Sequence, residues 1–239
     1  MGGGVPGVNL PASTAHAAPG HSAGVSESVP VSCWIFDLDG TLSDPAPGML
    51  NAFNTALAEG GYPLLDHDSV GLYIGPPLEQ TLAILTGDDD PAHIQRLVES
   101  YRSYYRESGF AENTLYPDIV ATLELLQASG ARLGVCTSKP ATMAERILGH
   151  FGIAHFFSFI SGGDVGIVKG QQLAELLRTE QIDTEALMIG DRKFDLIAAH
   201  DVGLRSCAVT WGYGGAAEIN AEKPNFSIEH PHALLSLQA

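Results

Sequence analysis

The sequence predicts an α/β protein in which helices cover a parallel sheet and a small all-helical unit is inserted after the first strand. The apolar residues 33–36 predict a buried strand, which ends at the pentapeptide Asp-Leu-Asp-Gly-Thr, residues 37–41. Residues 49–108 carry apolar side chains at helical spacing and no strand pattern. After residues 116–117, Tyr-Pro, short apolar strands alternate with helices, as expected for parallel strands joined by helical crossovers.

The order of these elements sets the domain boundaries that we expect. After the insertion, strands are predicted at 132–136, 156–160, 186–189 and 206–209, with helices at 118–127 and near 142–148, 173–177 and 194–199. Residues 31–46 and 115–239 then form the sheet core, and residues 47–114 form the helical unit. Residues 1–30 are rich in Gly, Ala, Pro, Ser and His and cannot bury enough apolar surface to offset their ordering entropy, so they predict a disordered tail.

The composition limits the classes of partner. The 239-residue chain has 12 Lys and Arg against 28 Asp and Glu, a net charge of -16, which argues against nucleic acid or an anionic membrane as a partner. No apolar stretch is long enough to span a membrane, and residues 1–30 lack the features of a signal peptide. Cys33, Cys136 and Cys207 lie in apolar, strand-like segments, which favours core positions over disulfides or metal ligation. We therefore expect a cytoplasmic protein.

An acidic run within the helical unit has two interpretations. Asp88, Asp89 and Asp90 together look like a metal cluster. However, Asp90 directly precedes Pro91, and an acid before proline is typical of a helix start, where it lies near the positive end of the helix dipole. We favour the helix cap.

Asp37 and Asp39 lie two residues apart, just after the predicted first strand. Successive side chains of a strand point to opposite faces, so the two carboxylates share a face. Two anions in one poorly solvated place need a cation or a proton between them, and a divalent metal is the simplest answer. Gly40 lets the backbone leave the strand tightly, so that a substrate can approach the carboxyl end of the sheet.

Further polar side chains follow the later strands. Thr137, Ser138 and Lys139 offer hydroxyls and backbone amides that could hold a phosphate oxygen, with a helix cap as the ordinary alternative. Lys169 precedes a predicted helix, where an exposed surface position is the ordinary alternative. Asp191 and Asp195 lie four residues apart at a strand-to-helix turn and could supply the oxygen ligands that Mg²⁺ prefers, although either could cap a helix.

The basic residues are concentrated in these same loops. Lys139, Lys169, Arg192 and Lys193 account for four of the 12 Lys and Arg in the chain. In so acidic a protein, this clustering indicates an anionic ligand at the carboxyl edge of the sheet.

The motifs together resemble the haloacid dehalogenase superfamily phosphatases. The resemblance rests on the pentapeptide at 37–41, Thr137, Lys169, and Gly-Asp-Arg-Lys-Phe-Asp at 190–195, in that order and spacing. The helical insertion, with the segments at 74–78, 137–140 and 211–214, is similar to the phosphoglycolate phosphatase-like branch. The resemblance covers residues 31–239. It implies a Rossmann-like core and a helical cap that closes over the substrate, with hinges at 44–48 and 114–117.

The resemblance also implies roles for individual residues. Asp37 would be the nucleophile that forms an aspartyl-phosphate, and Asp39 the general acid and base. Mg²⁺ would be held by the Asp37 carboxylate, the Asp39 main-chain carbonyl and Asp191, with Asp195 ligating or supporting it.

The resemblance also implies roles for the remaining polar residues. Thr137 and Lys169 would bind phosphoryl oxygens. Ser138, Lys139 and Arg192 are further candidates for binding phosphate or substrate, with solvated positions as the alternative. For Gly75, close approach to the substrate and a simple turn before a helix both stay open.

Three functions are compatible with the sequence. The first is a Mg²⁺-dependent phosphatase of a small phosphorylated metabolite, such as phosphoglycolate or a nucleoside monophosphate. The second is phosphoryl transfer to another acceptor, as in a sugar phosphate mutase or a protein tyrosine kinase, where the tail could recruit a protein partner. The third is a non-enzymatic phosphate-binding module, against which the retention of Asp39 and Asp191 beside Asp37 argues. Dehalogenases of the same superfamily share the pattern but lack an acid at the position of Asp39. The presence of Asp39 therefore favours a phosphoryl-transfer enzyme.

Overall fold

The computed structural model describes Met1 and residues 30–163 and 168–237. The predicted tail therefore lies, apart from its two ends, outside the described residues. Within the described ranges, no helix combines the length and apolar character needed to cross a bilayer.

Eight strands and eight helices make up the described fold. The strands are β1 (Trp34–Phe36), β2 (Ser43–Asp44), β3 (Thr114–Leu115), β4 (Leu133–Thr137), β5 (Phe157–Gly162), β6 (Leu187–Gly190), β7 (Arg205–Val209) and β8 (Phe226–Ile228). The helices are α1 (Ala46–Gly60), α2 (Leu78–Thr86), α3 (Pro91–Glu107), α4 (Ile119–Ala128), α5 (Ala141–His150), α6 (Lys169–Arg178), α7 (Lys193–Asp201) and α8 (Ala216–Glu222).

Six of the strands form a parallel sheet in the order β5-β4-β1-β6-β7-β8. β1 is central, and its Ile35 is in register with Gly134 of β4 and Met188 of β6. Side chains of β1 alternate between two apolar layers: Trp34 and Phe36 pack in one, and Ile35 in the other. This is the predicted α/β architecture, a Rossmann-like sheet with helices on both faces.

The predicted strands of the core match β1 and β4 to β7 within two residues at each end. Three strands were not predicted. β2 and β3 are two residues long and pair antiparallel with each other, and β8 is a three-residue strand at the sheet edge. Segments this short carry too few side chains to show an alternating pattern. The three cysteines are buried and unpaired, as predicted.

The segment between β2 and β3 contains three α-helices. α1 packs lengthwise on α3, and Phe53 of α1 lies 4.7 Å, between ring centroids, from Tyr101 of α3. Asp90 accepts hydrogen bonds from the amides of Ala92 and His93, so the prediction of a helix cap there is confirmed.

The first inserted helix begins earlier than the helical pattern at 49–108 indicates. α1 begins at Ala46, whose amide donates to Asp44 Oδ1 at 2.8 Å, so residues 46–48 of the expected hinge segment 44–48 are helical. Pro47 is compatible with the helix because a first-turn residue needs no amide donor. Gly48 lies within this helix, and the close packing requires glycine there because a Cβ would lie 2.0 Å from the Gly109 carbonyl oxygen.

Candidate active site

The loop that follows β1 places Asp37 at the carboxyl edge of the sheet. The Asp37 amide donates to the Ile189 carbonyl at 2.9 Å, which extends the pairing of β1 with β6 by one residue. The chain then turns at Gly40, which has φ +84°, and a Cβ at this position would lie 2.2 Å from Asp191 Oδ2. Both the left-handed backbone and the close carboxylate require glycine. The glycine of the pentapeptide thus lets Asp191 approach Asp37.

Three carboxylates meet at this edge. Asp37 follows β1, Asp191 follows β6 and Asp195 lies in the first turn of α7, and oxygen atoms of all three lie within 4.8 Å of one another. Asp191 accepts hydrogen bonds from Thr41 Oγ1 at 3.3 Å and from the Tyr213 amide at 2.8 Å. These two donors fix its orientation.

For Asp195, the sequence left open a metal ligand and a helix cap, and the structure shows it at both places. One of its oxygens accepts a hydrogen bond from the Arg192 amide at 2.9 Å, which caps the start of α7. Its other oxygen accepts a hydrogen bond from the Lys169 ammonium. The same side chain therefore closes the helix end and faces the carboxylate cluster.

Lys169 is the cation that contacts this cluster. Its Nζ lies 3.0 Å from Asp37 Oδ1 and also pairs with Asp195. Burial lowers the pKa of Lys169, but the carboxylates of Asp195 and Asp37 outweigh burial and raise it above its ordinary value. Lys169 is therefore charged, and it is buried at the start of α6, so the surface alternative is wrong.

The cluster carries more negative charge than Lys169 neutralises. With all three carboxylates ionised and Lys169 charged, the cluster would hold a surplus of two negative charges in a buried place. Burial, followed by the charges of Asp195 and Asp37, raises the pKa of Asp191 to about 8. Asp37 Oδ1, although near Lys169, accepts no hydrogen bond of normal geometry among the described residues. This donor set of hard, partly unsatisfied oxygens fits a divalent cation such as Mg²⁺.

Asp39 lies apart from the carboxylate cluster and pairs with a different lysine. Lys139 Nζ is 2.9 Å from Asp39 Oδ2, while Asp39 Oδ1 is buried and has no hydrogen-bond partner in the described part of the chain. Burial raises the pKa of Asp39, opposed by the Lys139 charge. A carboxyl with a raised pKa and a free oxygen is suited to carry a proton.

Thr137 ends β4 beside the central strand and is buried. Its Oγ1 accepts a hydrogen bond from the Lys139 amide at 3.3 Å, and its carbonyl accepts one from Gln172 Nε2 at 3.2 Å. α5 begins after Pro140 and has no side-chain cap, so the helix-cap alternative for Thr137 and Ser138 is wrong. Ser138 is exposed at the strand end.

The Arg192 guanidinium has protein partners of its own. Its Nε donates to Glu218 Oε1 at 2.9 Å and its Nη1 donates to the Ile74 carbonyl. Gly75 has φ +110°, and a Cβ there would lie 2.9 Å from Arg192 Nη1. Gly75 therefore combines a left-handed turn with close approach to Arg192. The contacts of Arg192 join the core to the inserted helices and give no support to its predicted phosphate binding.

Several residues of the site were not predicted. Thr41 is the last residue of the first motif, and Tyr213 lies in the segment at 211–214. Both motifs contain these hydrogen-bond donors, so the sequence carried a signal for each of them. Tyr105 lies on α3, far from the motifs in sequence, and gave no signal. Gln172 follows Lys169 closely in α6, but its contact with Thr137 depends on how α6 packs beside β4 and gave no signal either.

Comparison with known proteins identifies the family. Residues 34–209 match the model for haloacid dehalogenase-like hydrolases. The chain is 36% identical over 186 residues to the tyrosine-protein kinase PtkA of Mycobacterium tuberculosis, covering 76% of this chain but only 63% of the kinase. It is also 36% identical over 194 residues to a 5′-nucleotidase of Pseudomonas aeruginosa, covering 80% of this chain and 87% of the nucleotidase.

A solved structure supports the same assignment. The crystal structure of a predicted phosphoglycolate phosphatase from Haemophilus somnus superposes with a TM-score of 0.80 at 27% identity, covering 87% of this chain and 98% of that one. The resemblance to the phosphoglycolate phosphatase-like branch is thereby confirmed. With its parallel sheet and the family match over most of its length, the chain belongs to the haloacid dehalogenase-like hydrolase family.

Proposed function

We propose that the protein is a Mg²⁺-dependent phosphatase that hydrolyses small phosphate monoesters through an aspartyl-phosphate at Asp37. The observation that carries this proposal is the separation of two acidic environments, the buried cluster of Asp37, Asp191 and Asp195 and the Lys139-paired Asp39 beside it. Similarity to a 5′-nucleotidase and to a phosphoglycolate phosphatase supports small phosphate esters as substrates.

Mg²⁺ would be held by the carboxylates of Asp37 and Asp191 and the Asp39 main-chain carbonyl. Asp195 would either ligate the cation or support it. When bound, the cation neutralises charge between the Asp37 carboxylate and the phosphate dianion. The excess negative charge of the cluster and the raised pKa of Asp191 support this assignment.

The reaction would proceed in two displacements at phosphorus. The Asp37 carboxylate attacks phosphorus, the ester P–O bond breaks, and Asp39 gives its proton to the leaving oxygen. Asp39, now ionised, takes a proton from water as the water oxygen attacks phosphorus. The bond from phosphorus to Asp37 breaks, inorganic phosphate leaves and both aspartates return to their starting states.

Lys169 and Thr137 would bind the phosphoryl oxygens that do not react. Lys169 is held against Asp37 by its second contact with Asp195, so its charge needs no reorganisation when the phosphate arrives. Ser138, exposed at the same strand end, would add a further donor.

The helices between β2 and β3 would act as a cap that excludes bulk water. Contacts already join them to the core, from Arg192 to the Ile74 carbonyl and from Lys139 to the Tyr105 hydroxyl. The short antiparallel pair of β2 and β3 holds both connections together and is the proposed hinge.

Buried, unpaired cysteines fit a reducing compartment, so the proposed location of the protein is the cytoplasm.

The proposal is tested by phosphate release from a panel of phosphoglycolate, nucleoside monophosphates and sugar phosphates with Mg²⁺. We expect hydrolysis of at least one ester. Asp37→Asn removes the nucleophile and should lower kcat by about 10³-fold or more, and Asp39→Asn should lower it by about 10²- to 10⁴-fold because proton transfer is lost. Asp89→Asn, an exposed position on the helical unit, is the control. An inactive panel, or full activity of Asp37→Asn, contradicts the proposal.

Magnesium binding is tested by thermal unfolding with and without MgCl₂. Mg²⁺ at about 100 times its Kd should stabilise the wild type by about 2.7 kcal/mol. Asp191→Asn should abolish that shift, yet in EDTA near neutral pH it should be no less stable than the wild type, because burial already disfavours the ionised form of the Asp191 carboxyl. An unchanged Mg²⁺ shift in Asp191→Asn, with Asp89→Asn as reference, would place the cation elsewhere.

A second candidate function is phosphoryl transfer to a tyrosine. The similarity to PtkA favours it, although the match spans less than two thirds of that kinase. The same Asp37 intermediate would then pass its phosphoryl group to a protein hydroxyl instead of water.

Incubation with ATP labelled at the γ-phosphate and a tyrosine-containing peptide library separates the two functions. Hydrolysis can release label only as inorganic phosphate, whereas transfer leaves acid-stable label on tyrosine. For a phosphatase of small monoesters we expect no label on tyrosine, with any label released from ATP found in inorganic phosphate. Phosphotyrosine that disappears in Asp37→Asn would instead establish transfer.

A further inference from the structure

Gln172 is a polar residue on the buried side of α6. It is 5% exposed, whereas the buried residues that follow it in the helix, Leu173 and Leu176, belong to the apolar layer beside the sheet. A buried side-chain amide lowers stability unless its polar atoms find hydrogen-bond partners. An apolar side chain could fill the same space without that cost, so packing alone does not account for the glutamine.

The side-chain amide of Gln172 connects α6 to two neighbouring strands. Its Nε2 donates to the Thr137 carbonyl at the end of β4, at 3.2 Å. Its Oε1 accepts hydrogen bonds from Cys136 Sγ at 3.3 Å and from Ser161 Oγ of β5 at 3.2 Å. Both ends of the amide are therefore bonded, and they join the start of α6 to the carboxyl ends of β4 and β5.

The orientation of this amide follows from its partners. A carbonyl oxygen can only accept a hydrogen bond, so the Thr137 carbonyl requires the NH₂ end of the Gln172 side chain. The opposite orientation would bring two acceptor oxygens together. A substitution of Gln172 that cannot donate therefore takes this partner away from the Thr137 backbone.

Gln172 lies one helical turn after Lys169, at the start of α6. Residues three apart on a helix share a face, and both of these side chains are buried. Lys169 Nζ lies 3.0 Å from Asp37 Oδ1, while the Gln172 amide bonds to Thr137. The two contacts together fix the start of α6 relative to the ends of β1 and β4.

Thr137 and Lys169 are the two residues proposed to bind the phosphoryl oxygens that do not react. They belong to different elements, β4 and α6, so the distance between them depends on how these elements are joined. To bind one phosphoryl group, both must be held to within a fraction of an ångström. Gln172 bonds to one of them directly and shares a helix with the other.

We propose that Gln172 is a positioning residue that sets the spacing between Thr137 and Lys169 for the phosphoryl group. The proposal rests on the proposed function, because it needs Thr137 and Lys169 to bind the same phosphoryl group. In this role Gln172 acts through the Thr137 carbonyl and through α6, without contact to the reacting atoms.

Calorimetric binding of orthovanadate, a mimic of the phosphoryl group in transfer, tests this role in the presence of Mg²⁺. Gln172→Met keeps the length of the side chain and loses its hydrogen bonds, and Gln172→Glu keeps the acceptor for Ser161 but, when ionised, cannot donate to Thr137. We expect each to weaken vanadate binding about tenfold or more and to lower kcat/KM by a similar factor. Stabilisation by Mg²⁺ alone should not change, because the proposed cation ligands are untouched.

Two further variants separate the loss of the Gln172 hydrogen bonds from a general weakening of α6. Gln171→Met makes the same substitution one residue earlier, at an exposed side chain whose Oε1 accepts from the Val168 amide at 3.2 Å, and should leave vanadate binding unchanged. Ser161→Ala removes one partner of Gln172 and should weaken vanadate binding less than Gln172→Met. Added to Gln172→Met, it should have no further effect, because its partner is already absent.

The outcomes separate the positioning role from the proposed function. Ester hydrolysis and vanadate binding that are unchanged in both Gln172 variants overturn the positioning role and leave the phosphatase standing. An equal loss in Gln171→Met, or a parallel loss of the Mg²⁺ stabilisation, also overturns it. Vanadate binding that depends on Gln172, without hydrolysis of any ester, overturns the phosphatase and retains the positioning role. A wild type that binds no vanadate with Mg²⁺ overturns both.

Discussion

The surplus of buried negative charge at the end of β1 and β6 is the constraint on which the rest of the site depends. Asp37, Asp191 and Asp195 bring oxygens within 4.8 Å of one another, and Lys169 alone cannot neutralise them. Such a cluster is costly unless a bound cation or a proton reduces its negative charge. Burial, followed by the neighbouring charges of Asp195 and Asp37, raises the pKa of Asp191.

The fold maintains this charge by surrounding it with fixed donors. The central position of β1 brings three strand ends to one place, and Gly40 removes the Cβ that would separate Asp191 from Asp37. Thr41 and the Tyr213 amide orient Asp191, and the Arg192 amide orients Asp195. A side chain held by such bonds changes little during a reaction, which is the condition for electrostatic catalysis.

The sequence was informative where a residue's role is set by its immediate neighbours. Asp90 before Pro91 predicted a helix cap, and the acid pair of the first motif predicted a site at a strand end, because both follow from local geometry. Apolar runs likewise located the longer strands of the sheet. β8 and the β2–β3 pair were missed because strands of two or three residues show no periodicity.

Roles set by distant contacts could not be predicted from the sequence. The partners of Arg192, Ile74 and Glu218, lie 118 and 26 residues away, so its contact between the core and the inserted helices could not be predicted from the motif that contains it. Tyr105 is one of several tyrosines in α3, and only the packing of that helix on the core brings its hydroxyl to Lys139.

The proposed nucleophile and cation site can be tested directly in a crystal structure of the protein grown with Mg²⁺ and beryllium fluoride, which mimics a phosphoryl group on aspartate. We expect one cation in contact with the carboxylates of Asp37 and Asp191, and beryllium bonded to Asp37 with its fluorine atoms toward Thr137 and Lys169. A cation bound away from these carboxylates, or beryllium fluoride on any residue other than Asp37, would contradict it.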